Sequence, residues 1–267
     1  MKQRINLLNR LLATMIMLAW LPLQAQTLQQ LPKVHGFAVG SGEKPWVYAA
    51  TQGGLFTSRD GGKNWKNPYD FRFPVTAVEA SADGTLHAFV VTQGLLRLSK
   101  SDPYWVPVSN RFGGQVLTQL SAIPGDSVRF LAHNQFGKVL SSHDGGATWS
   151  GSMGGRGPVN AQEKRGETLY AAKCQSCHGV QGVGETYTEE ALTKQGYIMA
   201  PALDDSTHSW HHTDDQLVET ILEGSDRMKA WKSELKEKDT RDIVAYMKSL
   251  WSQRALDCQG PKHMQCM

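Results

Sequence analysis

Cys174-Gln175-Ser176-Cys177-His178 sets two thiols three residues apart, with an imidazole directly behind the second. Composition alone would produce such a stretch about 0.002 times in this chain, so its presence asks for a chemical reason. The spacing is that of c-type haem attachment. Two thiols so placed can form thioethers to both vinyl groups of one porphyrin, and the adjacent histidine falls beneath the iron as proximal ligand. Paired thiols have two other uses. A thioredoxin-like redox pair would lie in a βαβ pattern, which the surrounding sequence lacks. A zinc site would want a second ligand pair, and only the distant Cys258 and Cys266 are available. The expectation is therefore one covalent haem c on Cys174 and Cys177, with His178 on the iron.

The elements that must hold these groups read as helices. Asn160 and Glu163 form a capping pair that opens a helix running towards Cys174. Thr213 and Gln216 form a capping box ahead of Leu217, Val218, Ile221 and Leu222, with Gly224 as the stop. Asp239 opens a last helix whose apolar Ile243, Val244, Met247, Leu250 and Trp251 recur at helical spacing.

On these residues, 158–253 resemble a class I monohaem cytochrome c over almost their whole length. The resemblance implies that Gly166 and Tyr170 lie where the first helix crosses the last, against Ile243, Tyr246 and Leu250. It implies that Pro201-Ala202-Leu203 supplies the proline carbonyl that accepts the proximal histidine's N–H, an outer bond that orients such a ring. It also places Met228 as the distal iron ligand, although Lys229 follows where the family commonly has proline. Met199 and Met247 are the competing thioethers, and His208, His211 and His212 the competing imidazoles. Met247 sits on the apolar face of the last helix and reads as core. Methionine and histidine together would close both faces of the iron and raise its potential. That describes a single-electron carrier for redox protein partners, with no catalytic residue, as a free protein or as the cytochrome subunit of a redox complex. The alternative is a haem enzyme or haem sensor that uses a labile distal ligand.

Residues 26–157 have a different habit: short β-rich runs broken by Gly, Pro, Asn and Asp. Tyr48–Trp65, His87–Trp105 and Phe130–Trp149 match when overlaid, and their closing tryptophans lie 40 and 44 residues apart. That period suits propeller blades. Ser58-Asp60-Gly62-Trp65 and Ser142-Asp144-Gly146-Trp149 resemble the Asp-box (BNR) hairpin of sialidase-type and photosystem-assembly-type β-propellers. Turn chemistry accounts for each position: Asp binds its own backbone, Gly supplies a positive φ, and Trp covers the hairpin. The middle copy, Ser99 to Trp105, is one residue shorter and lacks the glycine. Three repeats are fewer than a closed propeller's four to eight blades. The expectation is that the open sheet edges are covered by the other domain, a partner chain or a second copy.

The chain of 267 residues and net charge +3 has room for two such domains and no basic excess pointing to nucleic acid. Lys2, Arg4 and Arg10 precede an apolar run from Leu11 to Leu23, the layout of a secretory signal ending near Ala25. A periplasmic or secreted protein without a membrane span after cleavage is expected. Residues 26–157 carry 12 Lys/Arg and 8 Asp/Glu, whereas residues 158–253 carry 11 and 16. The opposed signs could favour docking of the halves or steer a redox partner. In residues 254–267, Cys258 and Cys266 suit a disulfide in an oxidising compartment. The alternative is that with His263 and Met264 they offer soft ligands to copper. The sequence thus specifies two domains: all-β, partial propeller-like repeats, then an all-α cytochrome c fold.

Overall fold

The computed structural model describes residues 30–151 and 155–266. The expected signal, residues 1–25, lies outside them. Three antiparallel sheets come first. The strands β1 (Val34–Val39), β2 (Val47–Thr51) and β3 (Gly54–Ser58) form one sheet, and β4 (Val75–Ala80), β5 (Leu86–Val90), β6 (Gly94–Leu98) and β7 (Val106–Ser109) the second. The third joins β8 (Leu117–Ile123), β9 (Asp126–Asn134), β10 (Val139–Ser142) and β11 (Ser150–Gly151). Each is a meander, as propeller blades are. The first blade's fourth strand is reduced to one bridge between Thr57 and Lys66.

The leading strands β1, β4 and β8 were not part of the matched repeats, because their mixed sequences show no clean alternation. They nevertheless carry the same irregularity. Pairing with the next strand shifts between Val34 and Gly36, between Val75 and Ala77, and between Leu117 and Gln119. A bulge at one fixed point bends each inner strand alike. In the second blade the bulged Thr76 donates its hydroxyl to the Leu117 carbonyl of the third, at 2.6 Å.

The Asp boxes fold as their residue types require. Asp60 accepts from the Lys63 and Asn64 amides and the Asn64 side chain, and these bonds, the Asn64 amide first, hold its carboxyl at about 2. Gly62 donates its amide to Ser58 Oγ, and the Trp65 indole donates to the Gly62 carbonyl at 2.9 Å. Ser142, Asp144, Gly146 and Trp149 repeat this arrangement, with an indole bond of 2.8 Å. In the middle copy the glycine is missing, and the buried Trp105 Nε1 has no hydrogen-bond partner among the described residues.

Apolar clusters fill the spaces between blades. Leu55, Val75, Val90 and Leu96 lie between the first two, and Phe89, Leu95, Leu117 and Phe130 between the second and third. Among the described residues the end faces of the arc stay open. Phe37 and Val39 on the first blade are 53% and 58% exposed, and Leu131 and Val139 on the third 45% and 53%. The helical half does not cover them.

That half contains α1 (Ala161–Lys173), α2 (Gln175–His178), α3 (Glu189–Thr193), α4 (Asp214–Glu223), α5 (Glu237–Ser249) and α6 (Gln253–Asp257). Asn160 with Glu163, and Thr213 with Gln216, form the expected capping boxes, and Gly224 ends α4. The last long helix differs from expectation at its start. Lys236 is the N-cap, and Asp239 sits three residues inside, accepting the Lys236 amide at 3.1 Å. Helices α1 and α5 cross at Gly166, where any Cβ would strike the Asp242 carbonyl. Tyr170 and Tyr246 lie beside the crossing with ring centroids 5.1 Å apart. Ile243, Met247, Leu250 and Trp251 are nearly inaccessible, so Met247 belongs to the core. Among the described residues no helix is long and apolar enough to cross a membrane.

Specific contacts join the halves. Lys138, just before β10, reaches Asp204 at 3.1 Å and Asp205 at 2.5 Å. The Gly114 amide donates to the Val183 carbonyl at 3.0 Å, and a Cβ on Gly113 would run into Gly184. The β module therefore leans on two loops of the helical half, 179–184 and 200–205.

Candidate functional site

Those two loops flank the group at the centre of the chemistry. Helix α1 ends at Cys174, and the chain turns at once into α2, which brings Cys174, Cys177 and His178 onto one short helical turn. Cys174 is buried and Cys177 exposed, and both thiols are free. Burial, and then the neighbouring Cys177, push the Cys174 thiol up to about 11.

His178 is buried, and its Nδ1 lies 2.8 Å from the Pro201 carbonyl. The carbonyl can only accept, so Nδ1 carries the proton and Nε2 keeps its lone pair. Burial lowers this histidine's pKa against the opposing pull of the Pro201 bond and Glu185, so the ring is neutral at physiological pH. The loop geometry behind it is tight. The Tyr170 hydroxyl donates to the Gly179 carbonyl at 2.8 Å, Gly184 donates to the His178 carbonyl at 2.7 Å, and Leu203 donates to the Gly182 carbonyl at 2.7 Å.

Met228 lies in the turn after α4, closed by Ser225 and Met228 bonding each other's backbone at 3.1 and 2.7 Å. Its half-buried side chain packs against the helical core together with Trp231, Trp210 and Leu203. Of the competing thioethers, Met247 is sealed inside, and Met199 stands two residues before Pro201 on the proximal segment. His208, His211 and His212 form a ring cluster of their own, with centroids 5.7–6.3 Å from His208, and His211 stacks on His263 at 4.5 Å. Burial first, then the surrounding histidines, lower the His211 pKa.

The donor set fits a covalent haem: two free thiols, an oriented neutral imidazole with Nε2 unengaged, and a thioether beside an apolar cluster. The tail is arranged otherwise than for copper. Cys258 and Cys266 are bonded to each other, which removes both thiolates, and Met264 is 66% exposed. Among the described residues no group of three or more His, Cys, Asp or Glu is disposed to hold a metal ion. The tail packs down through the buried Ala255 and Cys258 rather than hanging free.

Two features were invisible in sequence. A recess of about 700 Å³ opens between the first two blades, lined by Trp46, Tyr48, Arg59, Lys66, Tyr69 and Lys100, with Arg59 stacked 3.8 Å over Trp46. It contains nothing from the helical half. The other is a cluster of Glu185, Tyr197 and Arg227 next to Met228. These residues are far apart in the chain and form no motif, so only the fold brings them together.

Residues 161–247 match the family model described as cytochrome c oxidase, cbb3-type, subunit III. No curated protein matches the chain. Among solved structures the β module is similar to YCF48 bound to D1 peptide, at 15% identity and TM-score 0.37, covering 45% of this chain and 40% of that one. It is also similar to YCF48 from Cyanidioschyzon merolae (16%, TM-score 0.33, 46% and 42% covered). A third is an ancestral GH74 enzyme (18%, TM-score 0.35, 49% and 19% covered). The chain spans about two fifths or less of the length of each. The match over 161–247, laid on the geometry of His178 and its loops, makes the helical half a cytochrome c domain, preceded by an all-β module of three propeller-like sheets.

Proposed function

We propose that the protein is an exported single-electron carrier, with one haem c bound through Cys174 and Cys177 and ligated by His178 and Met228. The observation that carries this reading is the His178–Pro201 bond of 2.8 Å, which fixes the ring and leaves one nitrogen for a metal. A haem held there supplies one-electron iron chemistry. The chain's own residues do the rest: Pro201 orients the proximal ring, the apolar cluster around Trp231 and Leu203 excludes water, and Met228 closes the far face. With His178 and Met228 both holding the iron, electron exchange would need little rearrangement. Thioether sulfur raises the potential.

The β module serves docking in this reading. It braces the proximal loops through Lys138 and Gly114, and offers partners its open end faces and the cationic, aromatic recess around Arg59 and Trp46. The bonded Cys258 and Cys266 suit the oxidising compartment that such a haem requires.

Met228→Ala is the direct test. The variant is expected to lose the weak far-red sulfur-to-iron absorption band and to drop in potential, whereas an unchanged spectrum would overturn the ligand assignment. Rapid carbon monoxide binding by the reduced wild-type protein would favour an enzyme or sensor with a labile distal ligand instead.

A further inference from the structure

Arg227, immediately before Met228, reaches across to the segment that carries the proximal acceptor. Its Nη1 donates to the Ile198 carbonyl at 2.6 Å and to Glu185 Oε2 at 3.0 Å, and its Nη2 donates to Glu185 Oε1 at 3.1 Å. The guanidinium also lies 4.2 Å from the Tyr197 ring centroid. Glu185 has no spare capacity. Tyr197 donates its hydroxyl to Oε1 at 2.7 Å, and Ala200 donates its amide to Oε2 at 2.8 Å. Glu185 returns its own amide to the Ala200 carbonyl at 3.0 Å. The next residue is Pro201, whose carbonyl holds His178. One carboxylate therefore joins the loop of the distal ligand to the support of the proximal one.

The other bonds of the distal loop run elsewhere, and through Glu234, which also pairs with Lys173 at 2.7 Å, they reach the end of α1. Ser225 and Met228 bond each other, Lys229 pairs with Glu234, and Trp231 returns to the end of α4. Among the described residues, Arg227 makes the hydrogen bonds from residues 225–229 to residues 185–201. An exposed ion pair alone would do little. This one is bidentate, its carboxylate is largely shielded, and it is extended by a carbonyl bond and a ring, which makes it a fixed joint.

We propose that Arg227, clamped by Glu185, Tyr197 and the Ile198 carbonyl, is a positioning residue that keeps the Met228 loop closed. It thereby sets how readily the sixth iron position opens to external ligands. The proposal rests on Met228 being the distal ligand. It makes the choice between a closed carrier and an open haem site a property of a joint outside the iron's own ligands.

The test is the rate at which the oxidised protein binds imidazole, followed by stopped-flow absorbance with the far-red band recorded for every variant. Arg227→Gln and Glu185→Gln are each expected to retain the band and to bind imidazole at least about tenfold faster, the loss of charge-assisted hydrogen bonds being large enough for that. The double variant should be no faster than either alone, because both changes break one joint. Arg227→Lys keeps the charge without the bidentate geometry and should fall between. Wild-type rates in Arg227→Gln and Glu185→Gln, with the band present, would overturn the clamp and leave the Met228 assignment standing. A wild-type protein without the band would overturn that assignment and the clamp with it. Retention of the band in Glu185→Gln guards against reading a misfolded pocket as an effect of the joint.

Discussion

The β module and the cytochrome domain use opposite strategies to fix their loops. In the β module one device is used repeatedly: the Ser–Asp–Gly–Trp turn in the first and third blades, and the same inner-strand bulge in all three. The middle turn can then decay, leaving the Trp105 Nε1 without a hydrogen-bond partner among the described residues, and its blade still forms. In the cytochrome domain the helix starts share a capping box, but the contacts that place the haem-binding residues differ from one another. Gly166 permits the α1–α5 crossing, and Pro201 orients His178. Repetition tolerates loss, whereas a unique contact does not.

The comparison predicts unequal damage. The largest effect should come from Cys174→Ala/Cys177→Ala. Haem should no longer be covalently held, as shown by its extraction into acidified organic solvent, while the β module keeps its own unfolding transition. A simultaneous collapse of both transitions would show that the halves stabilise each other far more than Lys138 and Gly114 suggest. Gly166→Leu comes next. Its side chain must displace the Asp242 backbone, and overpacking of this severity costs on the order of 3 kcal/mol. Calorimetry should show the helical transition shifted down and the β transition unmoved.

Legibility in the sequence follows the same division. Local signals were readable: the Cys-x-x-Cys-His turn, the capping residues Asn160 and Thr213, and the Asp-box loops each draw their geometry from neighbours within about four residues. Tyr170, Gly166 and Pro201 were placed through family resemblance, and the structure sets them where that resemblance implied. The strands β1, β4 and β8 escaped because a bulged inner strand breaks the two-residue alternation that marks strands. The start of α5 was read three residues late, since Asp239 caps from the third position rather than from the N-cap. The Glu185–Arg227 joint and the Lys138 contact with Asp204 and Asp205 were out of reach. Their partners are 42 and about 66 residues apart, and nothing local distinguishes them from solvated charges.

Within the β module the repeated turns allow a finer measurement. Trp65→Phe removes an indole bond to Gly62 and should cost about 1 kcal/mol, and Trp149→Phe should behave alike. Trp105→Phe removes a buried N–H that has no hydrogen-bond partner among the described residues, so its cost should be smaller or reversed in sign. Denaturant midpoints at unchanged slope would report the difference. Equal losses at all three positions would mean that the rings contribute only through packing.

The smallest expected effect concerns the junction between the halves. Glu163 serves the α1 capping box and pairs with Arg156, and its carboxyl is held at about 2, chiefly by the Arg156 hydrogen bond and then by the Val159 and Asn160 amides against a burial penalty. The carboxyl of the unfolded chain titrates near the ordinary value of 4.5. The folded group therefore binds its proton less readily than the unfolded one. Its contribution to stability is complete above about pH 4.5 and is lost as the pH falls from there towards 2. Arg156→Gln should narrow that loss, because the folded carboxyl then titrates closer to its unfolded value. Thermal unfolding of the helical half measured between pH 5 and 2.5 should be less steep with pH in the variant. Asp60, held as low by the first Asp box, gives the β module an acid limb of its own in the same window. That limb should be untouched by the Arg156 change. An Arg156→Gln variant whose β transition also flattened would show that the junction transmits the titration from one half to the other, and the two regions would then be less separate than their contacts imply.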